Sequence, residues 1–193
     1  NMDYYCQYPQ EIIKIWNGGL AIHGGIIATL IFLIFYCRKN KTDTFLVTDI
    51  VSVGLLLAQS IGRWGNFFNQ EAYGRIVSKV FLQKMYLPNF IIKGMYIDRY
   101  YREPTFLYES ISSFLGFLFL IAIRKNKKLR ISQLSGIYLI WYGLERMIIE
   151  TFRSDSLMLG SFKIAQIISI IAIISGIIII IKSKNKNFYH KEK

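Results

Sequence analysis

Five stretches of the chain are apolar over a helix-spanning length: about 19–37, 45–67, 106–123, 134–152 and 164–181. The last of them, IAQIISIIAIISGIIIII, carries no charge. It is long enough to cross about 30 Å of hydrocarbon at about 1.5 Å per residue. Isoleucine is a modest helix former in water, but inside lipid the backbone must satisfy its own hydrogen bonds, so a helix is predicted there. The second and fourth stretches differ because they contain charge. TFLVTDIVSVGLLLAQSIGRWGNFFN (44–69) ends around Arg63, and YGLERMIIETFR (142–153) holds Arg146, Glu150 and Arg153. A cation placed in or beside hydrocarbon costs at least ~2.5–3.5 kcal/mol at mid-helix, so it is usually buried, paired or functional. The pattern predicts an all-α polytopic membrane protein with five visible transmembrane helices and an external loop at about 70–104.

Charge changes the picture through its placement. The chain has 193 residues, 53% of them hydrophobic, and a formal net charge of +12. Basic residues cluster at Arg38–Lys41, at Arg124–Arg130 and along the tail Lys182–Lys193. Each cluster follows an apolar run, as expected of cytoplasmic flanks and not of a nucleic-acid-binding patch. These clusters follow the first, third and fifth spans, a parity that requires the second and fourth to be real crossings. A transmembrane domain is therefore expected over 1–181, with a basic cytoplasmic tail over 182–193 that is disordered over Ser183–Lys193. The external loop carries Arg75, Lys79, Lys84, Lys93, Arg99 and Arg102. It reads as a solvated basic loop or as a collar for anionic headgroups or a polypeptide. Cys6 and Cys37 have neither metal-ligand nor disulfide spacing. The chain opens on Asn1 with its basic segment after the first apolar run, the reverse of a signal peptide, so it reads as lacking upstream sequence.

The same topology brings three polar sets to one membrane face: His23-Gly24-Gly25, Gly62–Glu71, and the end of the fourth span. Tyr142, Arg146, Glu150 and Arg153 fall at spacings of four, four and three, which is one face of a helix. An Arg146–Glu150 pair that only helps helices associate is one reading. Phosphate capture by Arg146 and Arg63, oriented by Glu150, is the other, since a guanidinium is a planar fork suited to phosphate oxygens. Gly62, Gly65 and Gly74 read either as close helix packing or as part of the site. Asn66 shares a face with Arg63 and can donate to an ester or phosphate oxygen, while Glu71 is placed to clamp Arg63 or Arg75. Imidazole titrates near neutrality, as a general base should, so His23 reads as functional ahead of the alternative of a hydrogen-bonded structural histidine.

At these residues the chain closely resembles the prolipoprotein diacylglyceryl transferase family of bacterial membrane enzymes. The matching pieces are WNGGLAIHGG (16–25), GRWGNFFNQEAYGR (62–75), EPTFLYES (103–110), YGLERMIIETFR (142–153) and SFKIAQIISI (161–170). The resemblance implies transfer of the diacylglyceryl group of phosphatidylglycerol to the lipobox cysteine thiol of a preprolipoprotein signal peptide, at the extracytoplasmic face of the bacterial plasma membrane. It also implies seven spans, of which five are visible. Arg63 matches the family's phosphatidylglycerol-binding arginine. His23, Asn66, Glu71, Gly74, Tyr142, Arg146 and Glu150 match other positions needed for activity. The family usually has histidine before the proline of the PTFLYE segment, where this chain has Glu103.

The chemistry so implied is thiol alkylation with a phosphate ester leaving. Arg63 and Arg146, with Arg153 nearby, are expected to bind the phosphate and His23 to act as base. Glu150 and Glu71 would hold the arginines, and Asn66 and Tyr142 would donate hydrogen bonds. Neither cofactor nor metal is expected. A small transporter would spread polar residues across the bilayer instead of gathering them at one edge. A non-catalytic phospholipid-binding subunit would bind lipid without forming a thioether.

Overall fold

The computed structural model describes residues 22–153, 158–159 and 162–189. The protein is mostly helical, and among the described residues three helices are long and apolar enough to cross a membrane: Thr44–Phe68, Thr105–Arg124 and Ile164–Ser183. They expose large apolar side chains such as Ile50, Phe114, Ile171 and Ile178. So much outward-facing apolar surface is stable only against lipid or another apolar partner. The chain divides into two compact units, Asn1–Thr44 and Phe45–Lys193.

In the first unit, α1 (Ile22–Lys39) ends on Arg38 and Lys39, cations that complement the negative end of the helix. Both the main-chain and side-chain nitrogens of Asn40 donate to Tyr36 O, and Lys41 turns the chain out with φ 52°. Cys6 and the segment before residue 22 lie outside the described residues.

The second unit is built on α2 (Thr44–Phe68), α5 (Thr105–Arg124), α6 (Gln133–Ile149) and α7 (Ile164–Ser183). On α2 the buried positions are Asp49, Ser52, Val53, Leu56, Ser60 and Phe67, a stripe at helical spacing that faces protein. The matching stripe on α5 is Phe106, Glu109, Ser110, Ser113, Gly116 and Leu120. Where these stripes meet, Ser60 Oγ donates to Ser110 O at 2.8 Å and Ser110 Oγ donates to Ser60 O at 2.9 Å. Such paired hydroxyls let two helices approach without burying an unsatisfied polar group. The first turn of α6 is capped from a distance, as Asp49 on α2 accepts from Ser132 N at 2.6 Å and Ser135 N at 2.8 Å. Helices α6 and α7 touch through small residues. A Cβ on Gly143 would stand 2.7 Å from Ser169 O, and one on Gly136 would stand 2.9 Å from Gly176 O.

Short strands amend the all-α expectation. Between α2 and α5 lie β1 (Ile76–Val77), α3 (Lys79–Lys84), α4 (Asn89–Gly94), β2 (Tyr96–Ile97) and β3 (Tyr100–Arg102), with a sheet in the order β1-β3-β2. The β2–β3 turn is Asp98-Arg99, both with positive φ (51° and 69°), the geometry that suits a two-residue hairpin. The predicted loop at 70–104 is thus a small module with its own core, in which Phe67, Leu82, Ile91, Met95, Ile97 and Phe106 pack together. A second hairpin, β4 (Met158–Leu159) with β5 (Phe162–Lys163), leads into α7.

Two boundary expectations are corrected. The fourth span ends at Ile149, with Glu150 as its cap, so Arg153 lies beyond the helix and pairs in an isolated bridge with Gly74. The tail is not disordered through residue 189. Ile131 N donates to Asn187 O and Tyr189 N to Leu129 O, while the Arg130 side chain donates to the main-chain oxygens of Lys184 and Lys186.

Candidate functional site

The inward stripe of α2 continues from Ser60 to Arg63, so the arginine points at α5 and not at lipid. Its Nε pairs with Glu109 Oε2. The other oxygen, Oε1, accepts from Arg146 Nη1 of α6 at 3.0 Å. Arg146 Nη2 lies 2.8 Å from Glu150 Oε2, one helical turn on. Arg63, Glu109, Arg146 and Glu150 therefore form a continuous line of alternating charge across three helices. The carboxylates are the buried members, with side-chain exposures of 5% for Glu109 and 1% for Glu150. The arginines remain partly open, at 23% for Arg63 and 18% for Arg146. Burying such charges is tolerable only because each meets an opposite one.

The two arginines are not equivalent. Arg146 commits both terminal nitrogens to carboxylates. Arg63 meets Glu109 through Nε, and the terminal nitrogens of a guanidinium are the edge that matches two oxygens of a phosphate or carboxylate.

The structure brings some of the predicted residues together and separates others. Arg63 and Arg146 share one carboxylate, and Glu150 holds Arg146. Glu71 clamps neither Arg63 nor Arg75: it is exposed and accepts from Asn69 Nδ2 at 3.3 Å. The positive φ of Gln70 (53°) and Ala72 (57°) turns the chain after α2, which carries Glu71 away from Arg63. The holder of Arg75 is instead Glu103, whose Oε2 accepts from Nε at 2.9 Å and whose Oε1 accepts from the Tyr108 hydroxyl at 3.2 Å. Gly74 belongs to packing, since a Cβ there would stand 2.8 Å from Glu103 Cβ; Gly62 and Gly65 face open space. Tyr142 stacks on Tyr138, ring centres 6.2 Å apart. Asn66 and Glu71 line a narrow crevice with Tyr73, Met95, Ile97 and Phe106. His23 stands in the first turn of α1, and its side chain lies outside the described residues.

Glu109 is one residue that sequence reasoning missed. The signal was its position on the apolar-to-small stripe of α5, where a carboxylate requires a buried partner. Glu145 was missed as well. It is buried and accepts from Ser113 Oγ at 2.9 Å, across the α5–α6 contact. Lys163 Nζ donates to Glu150 O at 2.6 Å, which ties the β4–β5 hairpin to the same corner. Among the described residues no group of three or more His, Cys, Asp or Glu could hold a metal.

Residues 2–182 match the profile of the family described as prolipoprotein diacylglyceryl transferase. The chain is 50% identical over 184 residues to the phosphatidylglycerol–prolipoprotein diacylglyceryl transferase of Staphylococcus saprophyticus, covering 95% of this chain and 66% of that one. The corresponding protein of Staphylococcus haemolyticus is 49% identical, with 64% of its length covered. That of Limosilactobacillus reuteri is 46% identical over 185 residues, with 67% covered. The chain thus spans about two thirds of the length of the curated relatives it matches.

Proposed function

Because the chain belongs to the prolipoprotein diacylglyceryl transferase family, we propose that it takes part in moving the diacylglyceryl group of phosphatidylglycerol onto the lipobox cysteine of a preprolipoprotein. The sulfur attacks the glyceryl carbon that carries the phosphate, the carbon–oxygen bond breaks, and glycerol phosphate leaves. The thiol proton passes to a base. His23 is assigned that role because imidazole titrates near the operating pH.

What supports this reading most is the carboxylate of Glu109 shared by Arg63 and Arg146. A guanidinium already fixed in place loses little freedom when it binds phosphate, and it stabilises the charge that builds as the ester departs. In this reading Arg63 offers its fork to the lipid phosphate, while Arg146, oriented by Glu109 and Glu150, supplies field and position. Arg153, beside Gly74, contributes positive charge at the rim. Asn66 and Glu71, just beyond the Arg63 turn of α2, are assigned to the headgroup, and Tyr142 borders the reacting end. Gly74 keeps the chain close to Glu103. We place this corner at the extracytoplasmic face, with five of seven spans represented by α1, α2, α5, α6 and α7.

The test is mass spectrometry of a lipobox peptide incubated with phosphatidylglycerol and membranes containing the protein. The thioether product with the added diacylglyceryl mass is expected. Arg63→Ala should lower its formation by about 10²-fold or more while membrane insertion is kept. Unchanged turnover in that variant would sink the phosphate role. Lipid binding with no thioether in any preparation would favour a non-catalytic lipid-binding subunit.

A further inference from the structure

Arg75 and Glu103 repeat, farther out, the arrangement of Arg63 and Glu109. In both pairs an arginine is held through Nε on Oε2 of a buried glutamate. Glu103 is fixed more firmly than a surface carboxylate would be. Its side chain is 4% exposed, its second oxygen accepts from Tyr108, and its main chain exchanges hydrogen bonds with Gly74 and Arg75. Arg75 is the open member, with a side chain 65% exposed. Its guanidinium lies 5.8 Å from the centre of the Phe152 ring, and its main-chain nitrogen donates to Phe152 O. That segment directly follows Glu150, so this second guanidinium sits at the same corner as the first.

An arginine held by Nε keeps its two terminal nitrogens as a free edge, spaced to meet two phosphate oxygens. Glu103 cancels one unit of charge, so the pair recognises shape and hydrogen-bonding geometry more than net charge. The Phe152 ring beneath adds a cation–π attraction on that side of the guanidinium. We infer that Arg75 is a second phosphate-binding residue, presented by Glu103 at the rim of the site. The ligand is a phosphate ester, either the headgroup of an arriving anionic phospholipid or the ester released. This inference rests on the transfer reaction proposed above for its kinetic test, though not for its binding test.

The experiment compares wild-type protein with R75Q, R75K, E103A and E103Q in phosphatidylcholine vesicles containing a varied fraction of phosphatidylglycerol. R75Q should raise the apparent KM for phosphatidylglycerol about tenfold with kcat within about twofold. E103A should do the same, whereas E103Q, which keeps an acceptor for Nε, should recover most of the loss. R75K keeps charge without the fork and should fall between, and it decides the matter if R75Q does not insert. Inhibition by glycerol 1-phosphate separates the two sources: weakened lipid KM alone assigns the headgroup, and weakened inhibition assigns the released ester. An R75Q protein with unchanged KM and unchanged inhibition overturns the inference, as does a lowered kcat at constant KM. If the wild type forms no thioether, the transfer reading fails by itself. Binding of fluorescent phosphatidylglycerol by wild type and R75Q then still decides whether Arg75 holds phosphate.

Discussion

The carboxylate of Glu109 serves two cations, and that single residue decides how the site holds together. With Glu109→Ala, Arg63 and Arg146 would face each other across a buried gap with no charge between them. Removing one partner of a buried pair costs about 3–5 kcal/mol. The variant should therefore unfold at clearly lower temperature in detergent and lose the proposed transfer activity together. Glu109→Gln keeps an acceptor without the charge and should keep more of the fold than of the activity. Thermal unfolding run beside the peptide mass assay checks both, and a fully stable, fully active Glu109→Ala protein would refute the shared role. Glu109 was hard to read from the sequence because EPTFLYES holds two carboxylates, Glu103 and Glu109, six residues apart. Nothing in their spacing says that one faces Arg63 and the other Arg75.

At the scale of elements, α6 and α7 approach as closely as they do because glycines stand where side chains would collide. Gly143 is the most informative of them, since an added Cβ meets both Ile173 Cγ1 at 2.7 Å and the main-chain oxygen of Ser169. Gly143→Val should push the helices apart and destabilise the bundle by about 1–3 kcal/mol, as overpacking does. Gly54→Ala on α2 meets nothing within 4 Å. It should be neutral or slightly stabilising, because alanine is the better helix former by about 1 kcal/mol. Midpoints of thermal unfolding in detergent separate the two, and equal midpoints would count against the close α6–α7 contact. The existence and type of these long helices were legible from apolar runs alone. Their ends were less so: Arg153 fits the helical spacing of Arg146 and Glu150, yet the helix stops at Ile149 and Arg153 pairs with Gly74.

For the molecule as a whole, the second unit has two distinct ends. The segment after α2 and the segment after α6 meet through Gly74 with Arg153, and Arg75 N donates to Phe152 O. The segment after α5 and the tail after α7 meet at the opposite end of the helices through Arg130 with Phe188. Under the topology proposed above, these two ends lie on opposite faces of the membrane. That placement leads to a prediction in a background where Cys6 and Cys37 are replaced by serine. Tyr86→Cys, fully on the surface at 93% exposure, should react with a membrane-impermeant maleimide added to intact cells. Lys127→Cys, in the α5–α6 turn, should react only after the cells are opened. The reverse pattern would invert the assignment of the site to the extracytoplasmic face.

Sequence by itself determined that long helices form, since uninterrupted apolar runs in lipid leave the backbone no other way to satisfy its hydrogen bonds. It also marked Arg63, Arg146 and Glu150 as residues that lipid would not accept without partners. Tertiary structure alone decided which carboxylate meets which guanidinium. Ion pairing between helices depends on the rotation and depth of each helix against its neighbours, and those are set by contacts such as Ser60 with Ser110 and Gly143 with Ser169. The same packing, acting on residues 69–104, folded a basic loop into a small sheet and two short helices around Phe67 and Phe106.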